Sequence, residues 1–401
     1  MIQNCNKYLK KLCLEIPERS VGSEGNREAT RFFRETAASF GWEVESTEFN
    51  ALDWEETGAE LSIENQFYQV FPSPYSHGVE IQAELLTAST LQELEGLDCT
   101  NKLLLLSGEL CREQLMPKNF VFYNPERHQQ IISLLEEKKP SAILCSTSRN
   151  AALAGGVYPF PLIEDGDFEI PSVYLTEEEG IKLISQRGKE ALLCSRARRI
   201  PGLGYNVVAR KGNHPDRRVV ITAHIDAKKG TPGAIDNGTG VIILLLLAEY
   251  LRDYSGDTTL ELVAFNGEDY FAASGQMVYL EQNRDRFDEM ILNINIDGAG
   301  YHQGLSAFSF FEVKEEVKSR MLDVLKTFAG ITEGAQWVQG DHSIFIQQGI
   351  PAIAVSSKWF IDHIDQQEIT HTPKDNPGIV DCHKVVEIAE AIQQLILKDE
   401  I

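Results

Sequence analysis

Two histidines and a scatter of acids in the second half of this 401-residue chain stand where a folded protein could use them. The apolar run 219–223 leads straight into His224-Ile225-Asp226, and a turn built from Gly230, Thr231, Pro232 and Gly233 leads to Asp236, just before the apolar stretch 241–248. A second apolar run, 260–265, ends in Asn266-Gly267-Glu268-Asp269. A third, 291–296, ends in Asp297, and a late loop carries His371. Singly each has a plain explanation: Asp236 could cap the helix that follows, Glu268 and Asp269 could form an acidic first turn, and the histidines could sit in the core or on a loop. Together, three strand ends, a helix start and a loop deliver two imidazoles and four carboxylates.

That inventory suits a pair of divalent cations held by nitrogen and oxygen. Two such ions about 3.5–4 Å apart repel each other, so an anionic bridge must lie between them; Asp236 is the natural bridge. Of the neighbours Glu268 and Asp269, one can bind metal and the other can move a proton as general base. Asp226, two residues past His224, is placed to accept the second N–H of that imidazole.

Such groups need a rigid frame. The alternation of strand, loop and helix after Pro201-Gly202 predicts an α/β fold, a three-layer sandwich with a mixed, mostly parallel central sheet. Its reactive groups would gather at the carboxyl ends of the strands. Ser23 is placed to cap a helix reaching Phe40, with Ala29, Phe32, Phe33 and Ala37 on one face, and the stripe Val385, Ile388, Ala389, Ile392, Leu395, Ile396 predicts a last helix packed on the sheet. Between about 51 and 200 the pattern shifts to short apolar runs such as 102–106, 141–145 and 170–175, which read as a smaller β-rich inserted domain with one short helix, 176–187, opened by a Thr176/Glu179 capping box. The expected division is therefore a discontinuous domain, 1–50 with 201–401, interrupted by 51–200.

Composition limits the partners. With 37 Lys plus Arg against 60 Asp plus Glu the net charge is −23, which repels nucleic acid at long range. The longest apolar run, 241–248, is far short of the roughly 20 residues of a spanning helix, so no membrane association is expected. The start of the chain lacks the marks of a secretory signal, and seven scattered cysteines without a Cys-x-x-Cys pair fit a reducing, cytoplasmic setting.

At these residues the chain resembles the co-catalytic zinc aminopeptidase family of the bacterial leucyl aminopeptidases, related to glutamate carboxypeptidases and glutaminyl cyclases. The resemblance rests on His224-x-Asp226, Gly233-Ala234-x-Asp236-Asn237-x-x-Gly240, Gly267-Glu268-Asp269, Asn295-x-Asp297 and His371-Thr372-x-x-Asp375, in the family's order. The opening 21–26 and Asp341-His342-x-x-Phe345 add softer matches. It implies a metallo-aminopeptidase that hydrolyses the N-terminal residue from a peptide substrate with two divalent metal ions, zinc by default. One ion would lie on His224, Asp236 and Asp297 and the other on Asp236, Asp269 and His371, with Glu268 as general base. The insert looks like the protease-associated domain of many members. Asp269 stands where the family has Glu, Gly298 where aminopeptidases often carry Met, and Gly340 where Ser precedes Asp341-His342. Asp341 and His342 are accordingly candidates for substrate contact. A carboxypeptidase, an amide hydrolase or a glutaminyl cyclase would use the same scaffold; a non-catalytic binding protein would have no need of the full ligand set and Glu268.

Overall fold

The computed structural model describes residues 1–16, 18–120, 124–149, 154–269 and 274–398. The chain forms two compact units, Met1–Ala51 with Leu203–Ile401, and Leu52–Gly202. It passes between them inside the strands Glu43–Ile63 and β1 (Glu190–Lys211).

In the first unit β2 (Arg218–His224), β3 (Thr259–Phe265), β4 (Met290–Ile296), β5 (Ser306–Phe311), β6 (Ile331–Glu333) and β7 (Ala352–Ser357) join the end of β1 in the order β6-β5-β7-β4-β2-β3-β1. The central four, β3, β2, β4 and β7, are parallel. The edges bring in antiparallel pairings, β3 with β1 and β7 with β5. Central parallel strands are covered on both faces, which is why β2 and β3 are buried along their whole length.

The two faces differ in kind. Val219, Ile221 and Ala223 join one large apolar core with helices α1 (Glu24–Ser39), α2 (Thr239–Tyr250) and α3 (Cys382–Leu397). Helix α2 is buried at every residue from Thr239 to Ala248, as an all-apolar helix must be. Ser23 caps α1 by accepting from the Asn26 amide at 3.0 Å. On the opposite face the alternation Val220, Thr222, His224 meets polar neighbours: the Thr222 hydroxyl donates to Asn295 Oδ1 at 2.7 Å, and Asn293 Nδ2 donates to the Val220 carbonyl at 3.1 Å. His224 thus continues a polar row already stitched across two strands.

The second unit is built on parallel strands too. Val79–Ala88, Leu103–Leu106, Ala142–Thr147 and Ser172–Thr176 pair in that order, each parallel to the next. Leu104 and Leu106 face one apolar cluster and Leu103 and Leu105 another, which explains the unbroken leucine run. The N-cap half of the expected box is present at Thr176, its hydroxyl accepting from the Glu179 amide at 3.3 Å, while the Glu179 carboxylate turns to Lys182 and the Gln69 amide, and the helix stops at Ile184. The unit is less purely β than its sequence texture predicts: helices Leu91–Gly96 and Glu126–Lys138 supplement the strands. The second carries a buried stripe of His128, Ile131, Ile132 and Leu135 at helical spacing.

Candidate metal centre

Parallel pairing sets which residues meet. Strand β2 lies between β3 and β4, with His224 opposite Phe265 and Thr222 opposite Asn295. Two residues further along β4, Asp297 falls level with His224, and the turn after Phe265 carries Glu268 and Asp269 to the same end. The remaining groups arrive from loops. Asn237 donates from Nδ2 to the Ile296 carbonyl at 2.7 Å, tying the turn 234–238 to the end of β4. The Thr231 hydroxyl donates to the Thr372 carbonyl at 2.9 Å, tying the same segment to the loop of His371.

The result is a cluster around one carboxylate. Asp236 Oδ1 lies 3.2 Å from His224 Nε2, and Asp236 Oδ2 lies 3.1 Å from His371 Nε2. His371 Nε2 is also 3.1 Å from Asp269 Oδ1, while His224 Nε2 is 3.7 Å from Asp297 Oδ1 and 3.8 Å from Glu268 Oε2. Among the described residues three groups have ligand atoms within 4.8 Å of one another: His224, Asp236 and Asp297; Asp236, Asp269 and His371; and His224, Asp226 and Asp269, whose Asp226 is occupied by backbone amides. The simple capping reading of Asp236 fails, because the cap position of the following helix falls at Gly238 and the two Asp236 oxygens point to two imidazoles.

Electrostatics make the cluster costly without a cation. Burial pushes the Asp236 carboxyl up, but the two imidazoles outweigh it and hold the group well below the usual carboxylate range. Burial works against charge on His224 and His371, yet surrounding carboxylates, led by Glu268 for the first and Asp269 for the second, hold both imidazoles well above their ordinary value. Burial, reinforced by Asp341 and Asp269, pushes Glu268 well up, and burial with the Asp236 charge raises Asp269. Both ring nitrogens of His224 and Asp269 Oδ2 are buried without a hydrogen-bond partner. Unmet buried nitrogen and oxygen lone pairs at these separations fit two divalent cations.

Asp226 takes a different part from the one its spacing suggests. It is fully buried, but its Oδ1 lies 3.7 Å from His224 Nδ1, beyond hydrogen-bond reach. Its carboxylate instead gathers the next strand's turn, accepting from the amides of Gly267 at 2.9 Å, Glu268 at 3.4 Å and Asp269 at 3.0 Å. The cause is the pairing of β2 with β3, which brings three consecutive amides over the end of β2.

Asp341 and His342 are both buried. His342 is packed against Phe311 and Trp337 with Nε2 2.9 Å from the Trp337 carbonyl, so it orders its own loop. Asp341 Oδ1 accepts from Gln276 Nε2, its Oδ2 has no partner, and burial pushes its carboxyl up to about 7. Two contributors carried no role in the sequence. Asp375 accepts from the amides of Ile235 at 2.7 Å and Asp236 at 3.0 Å. Arg19, buried in the N-terminal segment, donates to the carbonyls of Ile225, Pro232 and Gly233. Asp375 stood in a recognisable motif; nothing local to Arg19 signals its partners, some two hundred residues away.

Comparison with known proteins agrees with this geometry. The model of peptidase family M28 matches residues 206–396, which carry all six of the clustered side chains. That stretch, just under half of the chain, is therefore similar to peptidase family M28. The aminopeptidase YwaD of Bacillus subtilis is 28% identical to this chain over 235 residues, 54% of this chain and 48% of that protein. The chain therefore spans about half the length of that relative. Among solved structures, an aminopeptidase from Aneurinibacillus sp. strain AM-1 matches with a TM-score of 0.78 at 19% identity, covering 99% of this chain and 93% of the other. A zinc aminopeptidase from Bacillus subtilis matches with a TM-score of 0.75 at 17% identity, over 99% and 94%. At these identities the structural matches establish a shared fold.

Proposed function

We propose that this chain is a zinc-dependent aminopeptidase of the M28 type, removing the N-terminal residue from peptides by hydrolysis at a two-metal centre. The observation that carries the reading is Asp236, which turns one oxygen to each of two histidines. His224, Asp236 and Asp297 would hold one ion, and Asp236, Asp269 and His371 the other. Asp269, one methylene shorter than glutamate, reaches His371 at 3.1 Å, so the shorter acid does not open the cluster. Zinc bound there would lower the pKa of water toward neutrality and draw charge from the scissile carbonyl oxygen.

The chain's own part is to handle the proton. Glu268 is in none of the ligand groups, and its side chain is 22% exposed, so it is accessible at the edge of the cluster as His371 and Asp297 are. Burial and neighbouring carboxylates raise its proton affinity, so Glu268 as carboxylate takes a proton from the attacking water, becomes the neutral acid, and then gives that proton to the leaving amine. Water supplies OH to the acyl fragment and H to the amine, and Glu268 ends as it began. Asp226 fixes the height of Glu268 and Asp269 through the three amides it accepts. The described residues of the second unit contain no comparable group of metal-holding side chains. We assign that unit the role of a protease-associated-type insert rather than a second active site.

No helix among the described residues is long and apolar enough to cross a membrane. A cytoplasmic setting is supported by seven cysteines, all free, five of them buried. The test is a panel of free and N-blocked peptides, with zinc measured on the same sample. Cleavage confined to free amino termini, with two zinc ions bound, is expected. Release of C-terminal residues, ring closure of an N-terminal glutamine, or no turnover at full zinc loading would each replace the reading.

A further inference from the structure

The turn that presents Asp236 is gripped from two sides, by a guanidinium and by a carboxyl group. Arg19, 2% exposed, directs its guanidinium at carbonyl oxygens: Nη1 donates to Pro232 at 2.8 Å and to Leu12 at 2.7 Å, Nη2 to Gly233 at 2.7 Å, and Nε to Ile225 at 3.1 Å. Asp375, fully buried, takes the amides that follow, Ile235 at 2.7 Å and Asp236 at 3.0 Å. The peptide groups between therefore present oxygen to a buried cation and N–H to a buried carboxyl group. Each group is met by backbone dipoles, which is how a buried polar group is made tolerable.

Close approach enforces the arrangement. A Cβ on Gly233 would lie 2.8 Å from Arg19 Nη2 and 2.7 Å from the Asp236 carbonyl oxygen, and the backbone there is left-handed at φ +54°. Only glycine allows the guanidinium so near. The same arginine reaches the end of β2, because the Ile225 carbonyl that it binds lies between His224 and Asp226, and its own carbonyl accepts from the Ala227 amide at 3.3 Å.

We propose that Arg19 and Asp375 are a pair of positioning residues that act through the 232–236 turn to hold the Asp236 carboxylate between the two histidines. This rests on the reading that Asp236 bridges two metal ions. Neither residue touches the metals; the pair removes the freedom of the turn, so that the bridge is set before any ion arrives.

The experiment is zinc titration of the metal-free full-length chain against a competing chromophoric chelator, for wild type, R19M, D375N, the R19M/D375N double variant and S23A. Each single variant is expected to weaken zinc binding about 10–100-fold, the range for a group that orients a ligand. The double variant is expected to lose little more than either single, because one turn is released in both. S23A removes a helix cap in the same N-terminal segment, so it lowers the melting temperature while leaving zinc affinity unchanged. If R19M does not fold, R19K serves in its place, keeping the charge but losing the fork that spans several carbonyls; it is expected to weaken zinc binding by less. A folded R19M or R19K with native near-ultraviolet circular dichroism and wild-type zinc affinity would overturn the pairing alone. A wild-type chain that takes up no zinc overturns the metal reading beneath it.

Discussion

Replacing Asp226 by Asn tests whether the carboxylate at the end of β2 works through the neighbouring turn. The substitution keeps shape and removes charge. On the Oδ1 side two amides arrive, Gly267 at 2.9 Å and Glu268 at 3.4 Å, and on the Oδ2 side one, Asp269 at 3.0 Å. An asparagine would keep its oxygen toward the pair and turn its NH2 toward the Asp269 amide, donor against donor. One unmet buried amide costs about 1–3 kcal/mol, and the surviving bonds lose about 1 kcal/mol of ionic reinforcement. A total of about 2–4 kcal/mol then falls on the turn that carries both Glu268 and Asp269. Part is relieved by the turn shifting, so the expected losses are about 10–100-fold in zinc affinity and a comparable fall in kcat, with secondary structure kept. The assays are chelator competition, peptide turnover and circular dichroism on one preparation. A D226N chain that binds zinc as tightly as the parent and cleaves at the parent rate would refute the argument, since no positioning by Asp226 could then matter.

E268Q is expected to keep its zinc and lose about 100- to 10,000-fold in kcat, the contribution of a positioned proton carrier; metal analysis beside steady-state kinetics decides it, and undiminished turnover rules Glu268 out as the base. Removing zinc with a chelator leaves the clustered carboxylates to be neutralised by protons on His224, His371 and the acids themselves. The melting temperature should fall and be restored by zinc, by the equivalent of about 2.7 kcal/mol when free metal is about 100 times its dissociation constant; calorimetry with and without chelator measures this. In the metal-free chain, burial, aided by the charges of Asp297 and Asp226, raises the Asp341 carboxyl to about 7. The folded state then keeps a proton that the unfolded chain releases near pH 4, so stability falls as pH rises from about 4 to 7 and stays lower above that. D341N mimics the protonated acid, so its advantage over wild type should grow across that window toward a ceiling of about 4 kcal/mol. Urea unfolding at pH 5 and pH 8 reads the difference, and an equal gap at both would show that Asp341 does not titrate there.

Much of the fold was legible because the signals are local. An apolar run ending in a polar residue marks a buried strand and its exit, and His224, Asp297 and the Glu268-Asp269 turn were found in that way. Ser23 and Thr176 announced their helices by a hydroxyl three residues ahead of an amide that needed it. The helices Leu91–Gly96 and Glu126–Lys138 passed unread in a region dominated by strand-like runs, although the spacing of Ile131, Ile132 and Leu135 was there to count.

What residue types and their order determine by themselves is the supply of donors: two imidazoles, a set of acids and the strand ends that carry them, since hydrophobic period and turn chemistry act over a few residues. Which atom meets which was decided only by the tertiary structure. Strand pairing turned Asp226 from a histidine to three amides, packing closed Asp341 and His342 away from solvent, and the convergence of distant segments put Arg19 and Asp375 on either side of the Asp236 turn. Hydrogen bonds and desolvation depend on distances of a few ångströms between groups that may be far apart along the chain, and those distances exist only once the chain is folded.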